Sequence, residues 1–145
     1  MRIVLDTNVL VAGLLSATGP PGWILEAVLA GDIDLAFDMA IREEYEDVLR
    51  RAEFQFPKNR IDDLLAVIDQ FGLHATAAPP GPVALPDRDD EPFLAVAVAT
   101  GSVLVTGNVR HYPTRCRHGV LVQTPREFQE SMGRRAASKG SKPTP

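Results

Sequence analysis

Apolar positions along the chain fall into two alternating rhythms. Arg2-Ile3-Val4-Leu5 is a short continuous run, the mark of a strand buried on both faces, and it stops abruptly at Asp6; Thr7, Asn8 and a second apolar run follow. "PPGWILEAVLAG" has proline at its start, apolar residues at Trp23, Ile24, Ala27 and Val28, and Gly31 as a stop, which predicts a helix. "IDLAF" predicts a second strand. Asp38 is placed to cap a helix over "MAIREEYEDVLRRAEF", and Asn59 to cap one over "RIDDLLAVIDQF" that ends at Gly72. "ATAAPPGPVALP" is a proline-rich connection with room for a short strand. "DRDDEPFLAVAVATG" predicts an aspartate-capped helix with Pro92 in its first turn and Gly101 as its stop. "SVLVT" and "GVLVQT" predict strands, and "PREFQESM" a last helix begun by Pro125. Strands alternating with helices, the strands lacking polar alternation, imply an α/β sandwich around a mostly parallel sheet. No internal repeat is present.

Composition narrows the classes. The 145 residues suit one domain with a proper core, and 45% hydrophobic with 23% charged residues is ordinary for a globular protein. No run of about 18 apolar residues exists, so no membrane span is expected. With no signal-peptide core and a single cysteine, Cys116, the expected setting is a reducing cytoplasm without disulfides. No Cys/His set has zinc spacing. Net charge is −4, but residues 134–145 carry four basic residues and no acid; without them 11 basic face 19 acidic residues, net −8. The expected division is therefore a domain over 1–133 and a disordered basic tail over 134–145. An acidic body does not suit a non-specific duplex DNA binder; it suits a protein that gathers cations.

Ligands of parallel sheets lie outside the carboxyl ends of the strands, where Asp6 and Asn108 both fall. On the helix after Asp38, Ile41, Tyr45, Val48 and Leu49 define the core face. At about 100° per residue, Glu43 and Asp47 point away from it and Glu46 lies far round the side, leaving Glu44 nearest. Glu44 is either a member of a site or a boundary residue paired with Arg42 or Arg51. Asp87, Asp89 and Asp90 exceed what one helix cap requires, and Asp90 stands closest to the helix start. Asn108 beside Gly107 also reads as a turn residue. His111 and His118 lack ligand spacing to another histidine. Arg110, Arg115 and Arg117 form a basic segment, either solvated or suited to phosphate. Two bare carboxylates about 4 Å apart repel by about 4 kcal/mol at an effective dielectric near 20, so clustered acids need protons, cationic side chains or a divalent metal. All-oxygen donors suit Mg²⁺ or Mn²⁺ rather than zinc.

"RIVLDTNVLVAGLL" with Asp6, "EEYEDVL" with Glu44, "DDEPFLAVAVATGSVLVTGNVRHY" with Asp90 and Asn108, and "GVLVQTPREF" together resemble PIN-domain nucleases, and most of all their VapC-like toxin branch. The resemblance covers residues 1 to about 130. It implies a PIN-like α/β/α sandwich and Mg²⁺- or Mn²⁺-dependent cleavage of RNA. Asp6, Glu44 and Asp90 take the places of the metal-binding acids. Asn108 stands where many members carry another aspartate; it would orient water or a carboxylate, and Asp87 or Asp89 would compensate for the missing charge. Arg110, Arg115 and Arg117 are the candidates for the RNA backbone. The likeness further implies a homodimer and a small antitoxin protein over the acidic site. The alternative is a catalytically idle PIN-like module for RNA binding or assembly. A haloacid-type phosphatase needs an acid where Asn8 stands, and a dinucleotide site needs a Gly-x-Gly-x-x-Gly after the first strand; neither is present.

Overall fold

The computed structural model describes residues 1–76 and 84–140, with side chains to residue 136. Five parallel strands form one sheet in the order β3-β2-β1-β4-β5. They are β1 (Arg2–Leu5), β2 (Asp34–Phe37), β3 (Leu73–His74), β4 (Val103–Val105) and β5 (Val122–Gln123). Six helices flank it as an α/β/α sandwich: α1 (Thr7–Leu15), α2 (Pro20–Leu29), α3 (Met39–Leu49), α4 (Lys58–Phe71), α5 (Glu91–Thr100) and α6 (Pro125–Gly140). No helix among the described residues is long and apolar enough to cross a membrane.

Strand β1 occupies the middle of the sheet, which is why it reads as an unbroken apolar run. Ile3 pairs with Leu35 on one side and Val103 on the other, and Ile3, Val4 and Leu5 are all buried. Beyond β1 the chain order reverses: β2 and β3 lie to one side, β4 and β5 to the other. The crevice between the ends of β1 and β4 is therefore the switch point at which such sheets take ligands.

The helix signals behave as their chemistry requires in most places. Asp38 caps α3 by accepting from the Ile41 amide at 2.9 Å. Gly101 ends α5 in a left-handed conformation, φ 64°. Four expectations need correction. Helix α3 stops at Leu49, short of the expected Phe54. Asn59 does not cap α4; the helix starts at Lys58, behind Pro57, whose carbonyl accepts from the Arg60 and Ile61 amides. The apolar run after Asp6, left without an element in the sequence pattern, is helix α1. Helix α6 continues past Met132, so residues 134–140 of the expected disordered tail are helical. Arg134, Arg135 and Ala136 all favour helix, and nothing interrupts them before Gly140. Residues 141–145, and most of the proline-rich connection (77–83), lie outside the described residues; β3 precedes that connection.

Two tyrosines are wholly buried beneath the carboxyl edge of the sheet, Tyr45 on α3 and Tyr112 after β4. A buried phenol needs a hydrogen-bond partner. Tyr45 donates to the carbonyl of Leu5 and Tyr112 to the carboxylate of Asp6, at 3.3 Å. Both hold the end of β1 where the chain leaves the sheet.

Candidate active site

Asp6 is the first residue beyond β1, and its amide extends the ladder by donating to the Val105 carbonyl at 2.9 Å. It stands at the start of α1 without a side-chain cap bond. Its Oδ2 instead accepts from the Thr106 hydroxyl at 2.8 Å and from Tyr112. Two donors from the β4 exit thus fix one oxygen of a carboxylate delivered by β1. Burial pushes the Asp6 carboxyl up, against the pull of the Thr106 and Tyr112 hydrogen bonds, the nearby Asn8 amide and His111.

Glu44 lies on the flank of α3 toward this edge, half-buried, and accepts a hydrogen bond from the Thr7 hydroxyl. Burial raises its carboxyl, and the charges of Asp6 and Asp89 raise it further. Neither of the two nearby arginines forms an ion pair with it. Arg42 binds Asp69 and Glu46, and Arg51 contacts Asp47. Glu43 and Asp47 point to solvent, and Glu46 is held by Arg42 and Arg50.

The three aspartates before α5 divide their work. Asp87 caps the 3₁₀ turn Arg88–Asp90 by accepting from the Asp89 amide at 2.9 Å, and Glu91 accepts from the Leu85 amide at 2.6 Å. Asp90 caps nothing. It is 9% exposed, and its Oδ2 is buried without a hydrogen bond of good geometry. His111 Nδ1 is 3.2 Å from that oxygen, a distance that becomes an ion pair only when the ring is protonated. Burial, then the charges of Asp6 and Asp87, push the Asp90 carboxyl up to about 6.

Glu44 and Asp90 therefore each feel the charge of Asp6 at the switch point. Among the described residues no three acid, histidine or cysteine side chains are drawn into a cage that could hold a metal as they stand. The donors nevertheless fit a hard divalent cation in kind. All are carboxylate oxygens, each destabilised as an anion, and one is buried without a partner.

The remaining candidates are placed less centrally. Asn108 is exposed; its amide donates to the Thr106 hydroxyl, and its side chain borders a cavity of about 160 Å³ together with Asn8. It makes no hydrogen bond to the three acids. Arg110 and Arg115 are exposed, whereas Arg117 donates its Nε to the Tyr112 carbonyl at 2.7 Å and braces the loop that carries Tyr112. Asp87 and Asp89 are exposed, their charges bearing on Asp90 and Glu44 respectively. Sequence reasoning did not find the roles of Thr7, Thr106, Tyr112 and His111. The only signal was position: two follow strand ends next to Asp6 and Asn108, and two lie within "NVRHY".

Comparison with curated proteins gives no match. A family model described as a PIN domain matches residues 2–110, a span that includes β1, helices α3 and α4, the Asp90 turn and the β4 exit. The chain belongs to the PIN-domain family, whose members are generally nucleases.

Proposed function

We propose that this chain is an endoribonuclease that works with Mg²⁺ or Mn²⁺ and serves as the toxin of a toxin–antitoxin pair in the cytoplasm. The observation that carries the nuclease reading is Asp90 Oδ2, a carboxylate oxygen buried without a hydrogen bond beside Asp6, among acids whose carboxyls are all raised. Folding has left an anionic charge unanswered at the place where parallel sheets bind ligands, and PIN domains typically use divalent metals.

Asp6, Glu44 and Asp90 would hold the ion. When bound, it supplies an activated water and a counter-charge to the phosphodiester in the transition state. Thr106 and Tyr112 keep one Asp6 oxygen occupied and so fix the direction of the other. Thr7 does the same for Glu44. Asn108, at the rim, orients water, and Arg110, Arg115 and Arg117 hold the RNA backbone. Toxin identity, a homodimer and a small antitoxin rest on the likeness of the motifs to the VapC-like branch. A short antitoxin-like reading frame directly upstream would support them.

The test is thermal melting of wild type and Asp6→Asn with and without Mn²⁺, alongside RNA cleavage. Asp6→Asn keeps the shape and removes a repelling charge. It should be at least as stable as wild type without metal, lose most of the metal-induced gain and lose cleavage. For wild type that gain is about 2.7 kcal/mol at a hundredfold excess of ion over its Kd. A wild type that binds RNA yet is indifferent to Mn²⁺ would sink the nuclease reading in favour of the idle module.

A further inference from the structure

We infer that the turn between α3 and α4 is a second contact for the substrate, a phosphate subsite for single-stranded RNA formed by Arg51 and Lys58 against the ring of Phe56. It rests on the reading of the acids as an RNA-cleaving site. A cavity of about 280 Å³ opens there between the end of α3 and the first turn of α4. Arg50, Arg51 and Lys58 line it together with Phe56 and Gln55, and no acid does. In a chain of net charge −4, residues 50–60 carry four basic residues and one acid, interleaved with Phe54 and Phe56.

The turn is built at a cost. Gln55 adopts φ 53°, a left-handed conformation unfavourable for a residue with a side chain. The rings of Phe54 and Phe56 stack with centroids 5.4 Å apart and 10° between planes, and Phe56 packs against the core. Phe56 thus forms a packed apolar wall of the cavity. Of the cations, Arg50 is taken up by Glu46 and Asp62 at 3.0 and 2.6 Å and serves the fold. Arg51 has one long contact, 3.3 Å, with an exposed Asp47, and Lys58 forms no ion pair among the described residues. Those two remain for an anion.

Position ties the cavity to the acids. Arg51 lies two residues past the end of α3 and reaches back to Asp47 at 3.3 Å, and Asp47 neighbours Glu44 on the helix surface, three residues on. The positive charge of Arg51 is felt at Glu44, where it opposes the push from burial. A strand lying over the acids would reach the turn with a phosphate between Arg51 and Lys58 and its sugar or base against Phe56, the pairing of cation and aromatic face that single-strand binders use.

Anisotropy of a labelled single-stranded RNA long enough to span both places, measured on the full chain in EDTA, tests this without metal or cleavage. Arg51→Gln with Lys58→Glu should weaken binding about tenfold or more, and should lower the slope of log affinity on log salt by about 0.7 for each phosphate deprived of its cation. Lys58→Arg should bind as wild type, as should Arg126→Gln on α6. Both test positions are exposed, and an unchanged circular dichroism spectrum would show that the variants fold. Unchanged affinity and slope in the double variant, or a wild type without measurable affinity, overturns the subsite. The outcomes separate from those of the acid site. Asp6→Asn that cleaves normally would defeat the catalytic reading while leaving the weakened binding of the double variant in place, and an indifferent double variant would leave the Mn²⁺ melts unaffected.

Discussion

Among the acids of this chain, several outside the site have an evident task. Asp38 and Asp87 close helix starts, and Glu46, Asp62 and Asp69 answer arginines that hold their carboxyls below the usual range. Asp6, Glu44 and Asp90 do none of this and are held as anions against burial. Glu43 and Glu44 make the sharpest comparison, being neighbours in sequence and about 100° apart on the helix. Glu44→Gln is expected to abolish RNA cleavage, and Glu43→Gln to leave most of it; rates from one labelled substrate decide, and equal effects would mean that the inward acid is misassigned. Helical arithmetic alone singles out Glu44, because a single helix with four apolar residues fixes its own core face. The hydroxyl that holds it could not be read the same way. Thr7 and Glu44 are 37 residues apart, and Thr106 and Asp6 are 100 apart, so no local pattern links them. Asp90 was legible from a surplus of aspartates and from its place at the helix start; which of the three does the capping depends on the 3₁₀ turn.

Elements show the same division between local and distant causes. Strand β1 was readable because a central parallel strand must be apolar throughout, and Gly101 because a left-handed stop favours glycine. The start of α4 and the extent of α6 were not: Asn59 is a favoured cap that the Pro57 turn pre-empts, and the polar composition after Met132 masks residues that favour helix. Two glycines show how context decides. At Gly72, after α4, an added Cβ would lie 2.5 Å from the Ile68 carbonyl oxygen and 2.7 Å from that of Leu35. These are backbone atoms and cannot swing aside, so Gly72→Ala should destabilise by about 1–3 kcal/mol. At Gly133, inside α6, a Cβ meets nothing within 4 Å. Gly133→Ala should therefore stabilise by up to about 1 kcal/mol through helix propensity alone. Urea melts of the two variants should move in opposite directions.

For the whole molecule, the raised acids set how stability depends on pH. The folded pKa of Asp90, about 6, lies above its ordinary value of 3.8, so the folded state holds its proton more tightly than the unfolded chain does. This contribution is fully present below pH 3.8 and is lost as pH rises through about 6, on the order of 2–3 kcal/mol; Asp6 and Glu44 act in the same sense. The lowered carboxyls of Glu46, Asp62 and Asp69 act in the opposite sense as pH falls. The difference between wild type and Asp90→Asn isolates the site. In EDTA the variant should be the more stable protein at about pH 7 and should lose that advantage by about pH 4. Denaturant melts across the range check this, and parallel curves would show that Asp90 is not held as a strained anion.

The middle of the sheet also governs when the candidate site can form during synthesis. Strand β1 is made first, yet its partner on one side is β4, and the hydroxyl that orients Asp6 comes from Thr106. Until that segment has emerged from the ribosome, β1 has only half its neighbours and the crevice has only one wall. Long-range pairing of this kind forms late, after the entropy of closing a long loop has been met. A nascent or truncated chain that ends before β4 would carry Asp6, Glu44 and Asp90 as separate surface acids with no shared site. Translation itself would then act as a safety catch, released only once the β4 segment has emerged.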